Sequence, residues 1–259
     1  MFEVGEQLNG RTICLKALVG SHNYNLNTPS SDKDYKYFVY PTLDDLYDAK
    51  MYHKEVVTET EDYTVHDIRK LPMLIWKANV NFLEIMYSKE LSAIDGIDEY
   101  LIESREAFSL MNMKQMYSAA LGMFMNKLNQ TFKDSPGRHE SYEKYGYDTK
   151  SACHAVRLLD FTERITNNLE NHVSDPVQKA FYYEDSDKGR DYLLAIKRGE
   201  YPKKEIQFIL DTLHEKFIVN ENTDVKKYFQ KEADHTLYES FKAHIKKLVF
   251  SNIGRSYFM

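Results

Sequence analysis

Apolar and β-branched residues cluster into short runs in the first third of the chain, and each run is bounded by residues that end strands. Residues 12–20 form one such run, which closes on Gly20. Residues 33–40 form a second run, which Pro41 stops. Residues 54–66 alternate polar positions with β-branched or aromatic ones, a pattern of one or two strands. The pattern therefore predicts a small sheet near the N-terminus.

Helical spacing of apolar residues replaces the strand pattern along the rest of the chain. Thr42, with Asp45 three residues later, predicts the capped start of a short helix over residues 43–51. No strand is indicated from about residue 94 onward, and helices are expected over residues 95–108, 111–132, 139–170, 188–198, 203–217 and 224–251, with breaks near 135–137, 175–176 and 220. The predicted class is α+β: a small α/β unit over residues 1–93, then an α-helical domain over residues 94–259.

Composition and charge narrow the function classes. The 259 residues carry 34 Lys and Arg against 40 Asp and Glu, a net charge of −6, which argues against a protein that binds polyanions over its whole surface. The two cysteines, Cys14 and Cys153, are too few and too far apart for a disulfide framework or a cysteine zinc site. No secretion signal and no apolar run long enough to cross a bilayer are present. A soluble cytoplasmic protein without a membrane partner is the expectation.

The turn between the first two predicted strands carries the most informative residues. The first strand ends in Gly20-Ser21, a polar loop follows, and Asp32 and Asp34 open the next strand. Gly20 has no Cβ and lets the backbone approach a phosphate closely. Ser21 offers a hydroxyl and a backbone N–H to phosphate oxygens, and a helix starting there would add its positive end.

The two aspartates suit a divalent metal site. Positions two apart on a strand point to one face, with Cα atoms about 6.6 Å apart. That spacing fits two ions about 3.5–4 Å apart, and hard oxygen ligands with a phosphate substrate favour Mg²⁺ or Mn²⁺ over zinc. Gly-Ser alone, or Asp-x-Asp alone, is more often a solvated strand end. The two together, in this order and between two strands, favour phosphoryl-transfer chemistry.

The order of strand, Gly-Ser, polar loop, Asp-x-Asp and strand resembles the DNA polymerase β-like nucleotidyltransferase superfamily. Within it, the loop from Tyr24 to Tyr35 is similar to that of the predicted nucleotidyltransferases associated with RNA ligases. Residues 62–86, 146–159 and 192–200 resemble further stretches of the same family. The resemblance is strong near the Gly-Ser loop and looser elsewhere.

The resemblance implies both a fold and an activity. The fold is a polymerase β-like unit with a mixed sheet, followed by helices. The activity is metal-dependent transfer of a nucleoside monophosphate from a nucleoside triphosphate, ATP among them, to an acceptor hydroxyl, with release of pyrophosphate. An RNA end is the implied acceptor. Asn25 stands where the family often has glycine, a departure that removes no metal ligand.

The superfamily also implies a third carboxylate on a neighbouring strand, and two residues are candidates. Asp62 lies on the strand face opposite to Tyr63 and Val65, which the alternation places in the core. Asp67 has the opposite parity and precedes a helix, where it makes a good N-cap. Parity favours Asp62 as the metal ligand and a structural role for Asp67.

Two groups of basic residues are further candidates for phosphate binding. Lys150, His154 and Arg157 are spaced to share one face of a helix, so they can hold the nucleotide's phosphates or those of an acceptor. An ordinary solvated face, or a histidine satisfied in the core, is the alternative. Arg69 and Lys70 either lie near the triphosphate or are solvated in the first turn of a helix.

The full hypothesis assigns a role to each residue. Asp32 and Asp34 hold both metal ions, Asp62 completes the site and helps to activate the acceptor hydroxyl, and Gly20 with Ser21 holds the β- and γ-phosphates. Two alternatives remain open: nucleotidylation of a protein or small molecule, and a non-catalytic nucleotide sensor that uses the same pocket. The sequence indicates neither the preferred base nor the oligomeric state.

Overall fold

The structure of the protein is a computed structural model, which describes residues 2–29, 31–58, 61–219 and 229–258. Contacts divide the chain into two compact units, one of residues 1–112 with 233–259 and one of residues 113–232. The predicted mixed α+β class is confirmed. The division into a catalytic domain over residues 1–93 and a helical domain beyond it stays a prediction. No helix in the described ranges is long and apolar enough to cross a membrane.

A mixed sheet forms the centre of the first unit. In the described ranges its strands are β1 (Gln7–Leu8), β2 (Arg11–Val19), β3 (Lys33–Val39), β4 (His53–Val57), β5 (Glu61–Asp67) and β6 (Leu91–Ala93). They lie in the order β1, β2, β3, β5, β4, and β6 pairs with the free side of β2. The β3–β5 pair is parallel and the other pairs are antiparallel. The predicted strands are confirmed; β1, with two residues, and β6, with three, were not predicted.

Helices connect several of the strands and make up most of the chain after the sheet. In chain order they are α1 (Ser21–Tyr24), α2 (Leu43–Tyr47), α3 (Leu71–Trp76), α4 (Val80–Leu83), α5 (Ile97–Leu110), α6 (Met113–Thr131), α7 (His139–Tyr145), α8 (Thr149–Glu170), α9 (Pro176–Phe181), α10 (Lys188–Lys197), α11 (Lys203–His214) and α12 (His235–Phe258). Short 3₁₀ turns cover Ile68–Lys70, Glu84–Tyr87 and Pro136–Arg138, and a π-helical turn, Glu215–Val219, follows α11.

Two predicted helices differ from the structure. The stretch over residues 139–170 is two helices, because Gly146 adopts a left-handed conformation (φ 79°) that ends α7, and Asp148 caps the start of α8. The helix predicted over residues 224–251 begins only at His235 in the described ranges, and residues 224–228 lie outside them. The expected break at Asn220 also lies outside them.

Alternation along the strands separates a core face of the sheet from a polar one. Tyr35, Tyr37 and Val39 of β3 and Val65 of β5 are buried in one cluster with residues of β1 and β2. The intervening residues of β3 and β5 point to the other face, since successive side chains of a strand alternate. Asp34 is one of them. The chain therefore places polar chemistry on one side of a sheet whose other side is packed.

The last helix, α12, packs against α3 and α5 within the first unit. The ring of Tyr238 lies 4.6 Å from that of Trp76. The Phe241 ring stacks on Phe108 at 4.3 Å. Arg255 donates to both carboxylate oxygens of Asp95, at 2.8 and 2.7 Å. Apolar stacking and a bidentate ion pair thus hold the end of the chain on the unit that carries the sheet.

The predicted cap of α2 is confirmed, and it also ties α2 to the start of β2. The hydroxyl of Thr42 accepts the Asp45 N–H at 3.1 Å, and the Asp45 carboxylate accepts the Thr42 N–H at 3.0 Å. The same carboxylate, 2% exposed as a residue, receives two hydrogen bonds from Arg11, at 2.7 and 2.6 Å. Those Arg11 hydrogen bonds, above all, lower the pKa of Asp45 to about 2.

Replacement of Asp45 by asparagine should therefore destabilise the protein in a pH-dependent way. A lowered folded-state pKa means that the stabilisation is complete above the ordinary carboxyl pKa of about 3.9 and is lost as the pH falls towards the folded value. At pH 7 we expect Asp45→Asn to lower the free energy of unfolding by about 2 kcal/mol, because a charged, bidentate hydrogen bond is lost. Urea unfolding between about pH 5 and pH 3 should show this difference shrinking.

Asp44→Asn is the matched control, because Asp44 is the exposed neighbour of Asp45 in the same first turn. Its effect should stay small across this range. A loss of unfolding free energy in Asp45→Asn that did not change with pH, or an equal loss in Asp44→Asn, would contradict this role of Asp45.

Candidate active site

Gly20 ends β2 in a conformation that only glycine adopts easily. Its φ is 74° and its ψ is −150°. A Cβ atom at this position would lie 2.4 Å from the Oδ2 atom of Asp34. Both the backbone conformation and the close approach of a carboxylate therefore require glycine at this position.

A hydrogen bond from the Gly20 backbone to Glu84 holds Gly20 in place. The Gly20 N–H donates to the Glu84 Oε2 atom at 2.8 Å, and Glu84 is only 2% exposed. This N–H is therefore already used, so Gly20 contributes space beside Asp34 rather than a donor. Sequence reasoning gave Glu84 no role of its own, although it lies in one of the stretches that resemble the family.

The segment after Gly20 is held in place by its polar side chains. Ser21 begins α1, a single turn, which is too short to supply the helix dipole considered from the sequence. Within the described ranges the Ser21 hydroxyl has no hydrogen-bond partner, so it remains available to a ligand. Asn23 accepts the Lys89 N–H at 3.0 Å, which anchors the turn to the segment after the Glu84 turn. Asn25 takes the left-handed conformation (φ 65°), which asparagine tolerates, where the family often has glycine.

The loop that leads to β3 is closed by short polar contacts. The Ser31 hydroxyl accepts the Thr28 N–H at 2.9 Å and lies 3.1 Å from the Thr28 hydroxyl. The Nε2 atom of His22 lies 3.0 Å from the Ser31 carbonyl oxygen. Residue 30, which belongs to the loop motif, lies outside the described residues. These contacts bring the chain back from α1 to the strand that carries Asp34.

Sheet register places Asp34 and Asp62 side by side. Asp34 of β3 pairs with Val19 of β2 on one side and with Asp62 of β5 on the other. Paired residues on neighbouring strands point to the same face, and the strands lie about 4.8 Å apart. Gly20, which follows Val19, therefore stands at the same edge of the sheet as the two carboxylates. The face that parity predicted for Asp62 is the face that Asp34 occupies.

The surroundings of Asp62 fit a cation. Its Oδ1 atom is shielded from solvent and has no hydrogen-bond partner among the described residues, and the same holds for the Oγ1 atom of Thr64, two residues along β5. A buried carboxylate oxygen without a donor is unfavourable, and it is more so beside a second carboxylate. A divalent cation bound between Asp34 and Asp62 would satisfy the Asp62 Oδ1 atom, and carboxylate oxygens are the ligands that Mg²⁺ and Mn²⁺ prefer.

Asp32 lies outside this pair. It is exposed and precedes the first residue of β3. In the described part of the chain, no three His, Cys, Asp or Glu side chains are gathered as a metal-binding group. The roles predicted for Asp32, Asp34 and Asp62 as metal ligands stay predictions, with Asp34 and Asp62 brought together by the sheet.

Asp67 has the structural role that the sequence predicted. It is fully buried, caps the turn Ile68–Lys70 and accepts the Arg69 N–H at 2.9 Å. The Arg69 guanidinium also binds this carboxylate, at 2.9 Å from Nε and 2.5 Å from Nη2. Arg69 is thus an ion-paired residue and not simply a solvated one.

The basic stripe lies on α8, in the second unit, and its three residues differ in exposure. Lys150 is exposed, His154 is partly buried and Arg157 is 4% exposed. Lys150 and His154 line a cavity of about 570 Å³, whereas Arg157 is not among the residues that line it. The predicted sharing of one helix face by the three positions is confirmed, and their role in nucleotide binding stays a prediction.

Comparison with known proteins identifies the family. No curated protein matches the chain. The model of the RNA repair pathway DNA polymerase beta family (RlaP) matches residues 2–243. The matched residues include the Gly-Ser turn, strand β3 with Asp34, strand β5 with Asp62, and helix α8. The chain belongs to the RNA repair pathway DNA polymerase beta family and is a polymerase β-like nucleotidyltransferase by descent.

Proposed function

We propose that the protein transfers a nucleoside monophosphate from a nucleoside triphosphate, ATP among them, to a hydroxyl group of an RNA end, with release of pyrophosphate. One observation carries the proposal: the sheet sets the carboxylates of Asp34 and Asp62 side by side, next to a glycine that leaves room for them. Membership of the RNA repair pathway family supports both the reaction class and the RNA acceptor.

The proposed metal is Mg²⁺ or Mn²⁺, as two ions, with Asp34 and Asp62 as ligands and Asp32 as a further ligand. Such ions promote ionisation of the acceptor hydroxyl and neutralise the charge that develops on the leaving pyrophosphate. Asp62 would help to remove the acceptor's proton, because its Oδ1 atom has no donor among the described residues. The acceptor oxygen then bonds to the α-phosphorus as the bond from that phosphorus to the β-phosphate oxygen breaks.

The Gly20-Ser21 turn would receive the β- and γ-phosphates. Ser21 supplies its hydroxyl as a donor, while Gly20 supplies space, because its own N–H is bound to Glu84. The turn is fixed by Glu84 and Asn23 before any ligand arrives. Such preorganisation lowers the entropic cost of holding a flexible triphosphate in line with the acceptor.

The other acceptors remain second candidates. A net charge of −6 is compatible with a protein or small-molecule acceptor as well as with a short RNA end. Incubation of the protein with labelled nucleoside triphosphates and Mg²⁺, in the presence of tRNA, total RNA or protein, separates these cases by where the label goes. Label on RNA is the expected result; a nucleotide that binds but is never transferred would indicate a sensor.

A cytoplasmic location is part of the proposal.

Removal of either carboxylate should abolish transfer without unfolding the protein. We expect Asp34→Asn and Asp62→Asn each to lower kcat/KM by about a thousandfold, because a neutral amide no longer holds the cation that stabilises several kcal/mol of developing charge. Asp32→Asn should also lose activity. Asp44→Asn is the control for an aspartate elsewhere in the same unit. Near wild-type turnover in Asp34→Asn or Asp62→Asn would exclude the proposed metal site.

Stability should distinguish the third carboxylate from the capping one. Asp67→Asn breaks a buried ion pair with Arg69, which typically costs about 3–5 kcal/mol. Asp62→Asn removes a charge whose Oδ1 atom has no donor, so the melting temperature in metal-free buffer should stay unchanged or rise. Thermal unfolding of the two variants with EDTA tests this. If Asp62→Asn lowered the melting temperature as much as Asp67→Asn, Asp62 would be a structural residue and not the third carboxylate.

The close approach of Asp34 to Gly20 can be tested against a second glycine that also has a positive φ. Gly20 has φ +74° and Gly10 has φ +75°, but a Cβ at Gly10 would meet nothing within 4 Å. Both alanine variants should therefore lose stability, by about 1 kcal/mol for Gly10→Ala and about 1–3 kcal/mol for Gly20→Ala, because a Cβ strains a backbone at positive φ. Only Gly20→Ala should also displace the Asp34 carboxylate and lose transfer activity. Equal kinetics in the two variants would contradict this role of Gly20.

A further inference from the structure

A cavity in the second unit gathers basic side chains from three parts of the chain. Its volume is about 570 Å³. Lys127 comes from α6, Arg138 from the turn Pro136–Arg138, and Lys150 and His154 from the first two turns of α8. We refer to the cavity lined by these four residues as the basic cavity.

Asp148, the acid at the inner wall of the basic cavity, is already occupied. It is 3% exposed, and its carboxylate accepts the Ser151 hydroxyl at 2.6 Å and the Lys150 N–H at 3.1 Å. It also pairs with the Arg138 Nε atom at 2.9 Å. Asp148 therefore caps α8 and pairs with Arg138, while its charge also acts on Lys127. A second acid, Glu140, is exposed on the lining.

Among the described residues, neither Lys127 nor Lys150 forms an ion pair with a carboxylate. The Lys127 ammonium donates to the neutral Gln130 side chain at 3.0 Å, and within the described ranges Lys150 makes no ion pair. Burial, and then the charge of Arg138, lowers the pKa of Lys127. Burial, followed by the charges of Arg157, Lys127 and Lys150, lowers the pKa of His154. These side chains repel one another, and an anion in the cavity would relieve that repulsion.

We infer that the basic cavity binds the phosphate groups of a nucleotide or RNA ligand. Lys127, Arg138 and Lys150 supply positive charge from three elements of the chain. Arg138 is held in place by its ion pair with Asp148, and His154 supplies a ring N–H. The volume lies in the range of small-molecule sites, about 300–1,000 Å³, and exceeds the needs of a single phosphate. The identification of the ligand as nucleotide or RNA rests on the proposed function.

Of the basic residues on α8, Lys150 is the one whose substitution tests phosphate binding by the cavity. Arg157 belongs to the predicted stripe but is buried and is not among the residues that line the basic cavity, so its substitution mixes a loss of packing with any loss of binding. Lys150 is exposed and lines the cavity, so its substitution should leave the fold intact. Lys204, an exposed lysine at the start of α11 in the same unit and not among the residues that line the cavity, is the matched control.

Binding is measured directly, without turnover, on the full chain carrying Asp34→Asn and in EDTA, so that the proposed metal site contributes nothing. The probes are inorganic triphosphate, a 5′-phosphorylated RNA oligonucleotide and the same oligonucleotide without its phosphate. We expect Lys150→Gln to weaken binding of at least one phosphorylated probe by about three- to tenfold and to reduce its salt dependence by about one counterion. Lys150→Arg should restore most of it, and Lys204→Gln should change nothing.

The outcomes separate the two sources of phosphate. A loss confined to triphosphate makes the nucleotide the ligand, and a loss confined to the 5′-phosphorylated RNA makes the acceptor the ligand. Equal binding of every probe by Lys150→Gln and the Lys150-containing chain, or an equal loss in Lys204→Gln, would overturn the inference. Since the assay requires no transfer, this failure is distinct from a failure of the proposed function, which would appear as an absence of labelled product in the wild-type chain.

Discussion

The parallel, in-register pairing of β3 with β5 is the constraint on which the rest of the site depends. It sets Asp34 and Asp62 opposite each other on strands about 4.8 Å apart. Two like charges so placed destabilise each other unless a cation or a proton lies between them. Gly20 adds to this demand, since a carboxylate oxygen of Asp34 fills the space that its side chain would need. The fold thus places two carboxylates side by side where packing alone would favour neutral residues.

Hydrogen bonds hold the backbone around the two carboxylates in place, while two polar atoms on β5 have no partner. Glu84 binds the Gly20 backbone, Asn23 anchors the following turn, and Asp67 with Arg69 closes the end of β5. By contrast, the Asp62 Oδ1 and Thr64 Oγ1 atoms have no partner among the described residues. Satisfied neighbours around unsatisfied site atoms are the pattern expected when stability is given up for binding.

Local patterns in the sequence were enough to predict much of this arrangement. The capping box at Thr42, the N-cap at Asp67 and the side of β5 on which Asp62 lies all follow from spacing over a few residues, and the structure has each of them. The resemblance to polymerase β-like nucleotidyltransferases was confirmed at the level of the family. The division of α7 from α8 was missed, because a single glycine in a left-handed conformation overrode a continuous helical pattern.

Long-range contacts could not be predicted in the same way. The hydrogen bond from the Gly20 N–H to the Glu84 carboxylate joins residues 64 positions apart. The sequence near Gly20 and the sequence near Glu84 give no indication of it. The packing of α12 on α3 and α5, and the meeting of Lys127, Arg138 and Lys150 in the basic cavity, likewise depend on tertiary structure. The charge pattern on one helix indicated only part of the basic cavity, and it included Arg157, which is buried and does not line the cavity.

Binding of Mn²⁺ tests the central claim most directly. Mn²⁺ binding can be followed by electron paramagnetic resonance of the free ion, without nucleotide or acceptor, since a nucleoside triphosphate itself chelates Mn²⁺ and removes the free-ion signal. The account predicts that the wild-type chain binds the ion and that Asp34→Asn and Asp62→Asn each lose most of this binding, whereas Asp44→Asn retains it. Undiminished Mn²⁺ binding in both Asp34→Asn and Asp62→Asn would show that the paired carboxylates do not form the metal site.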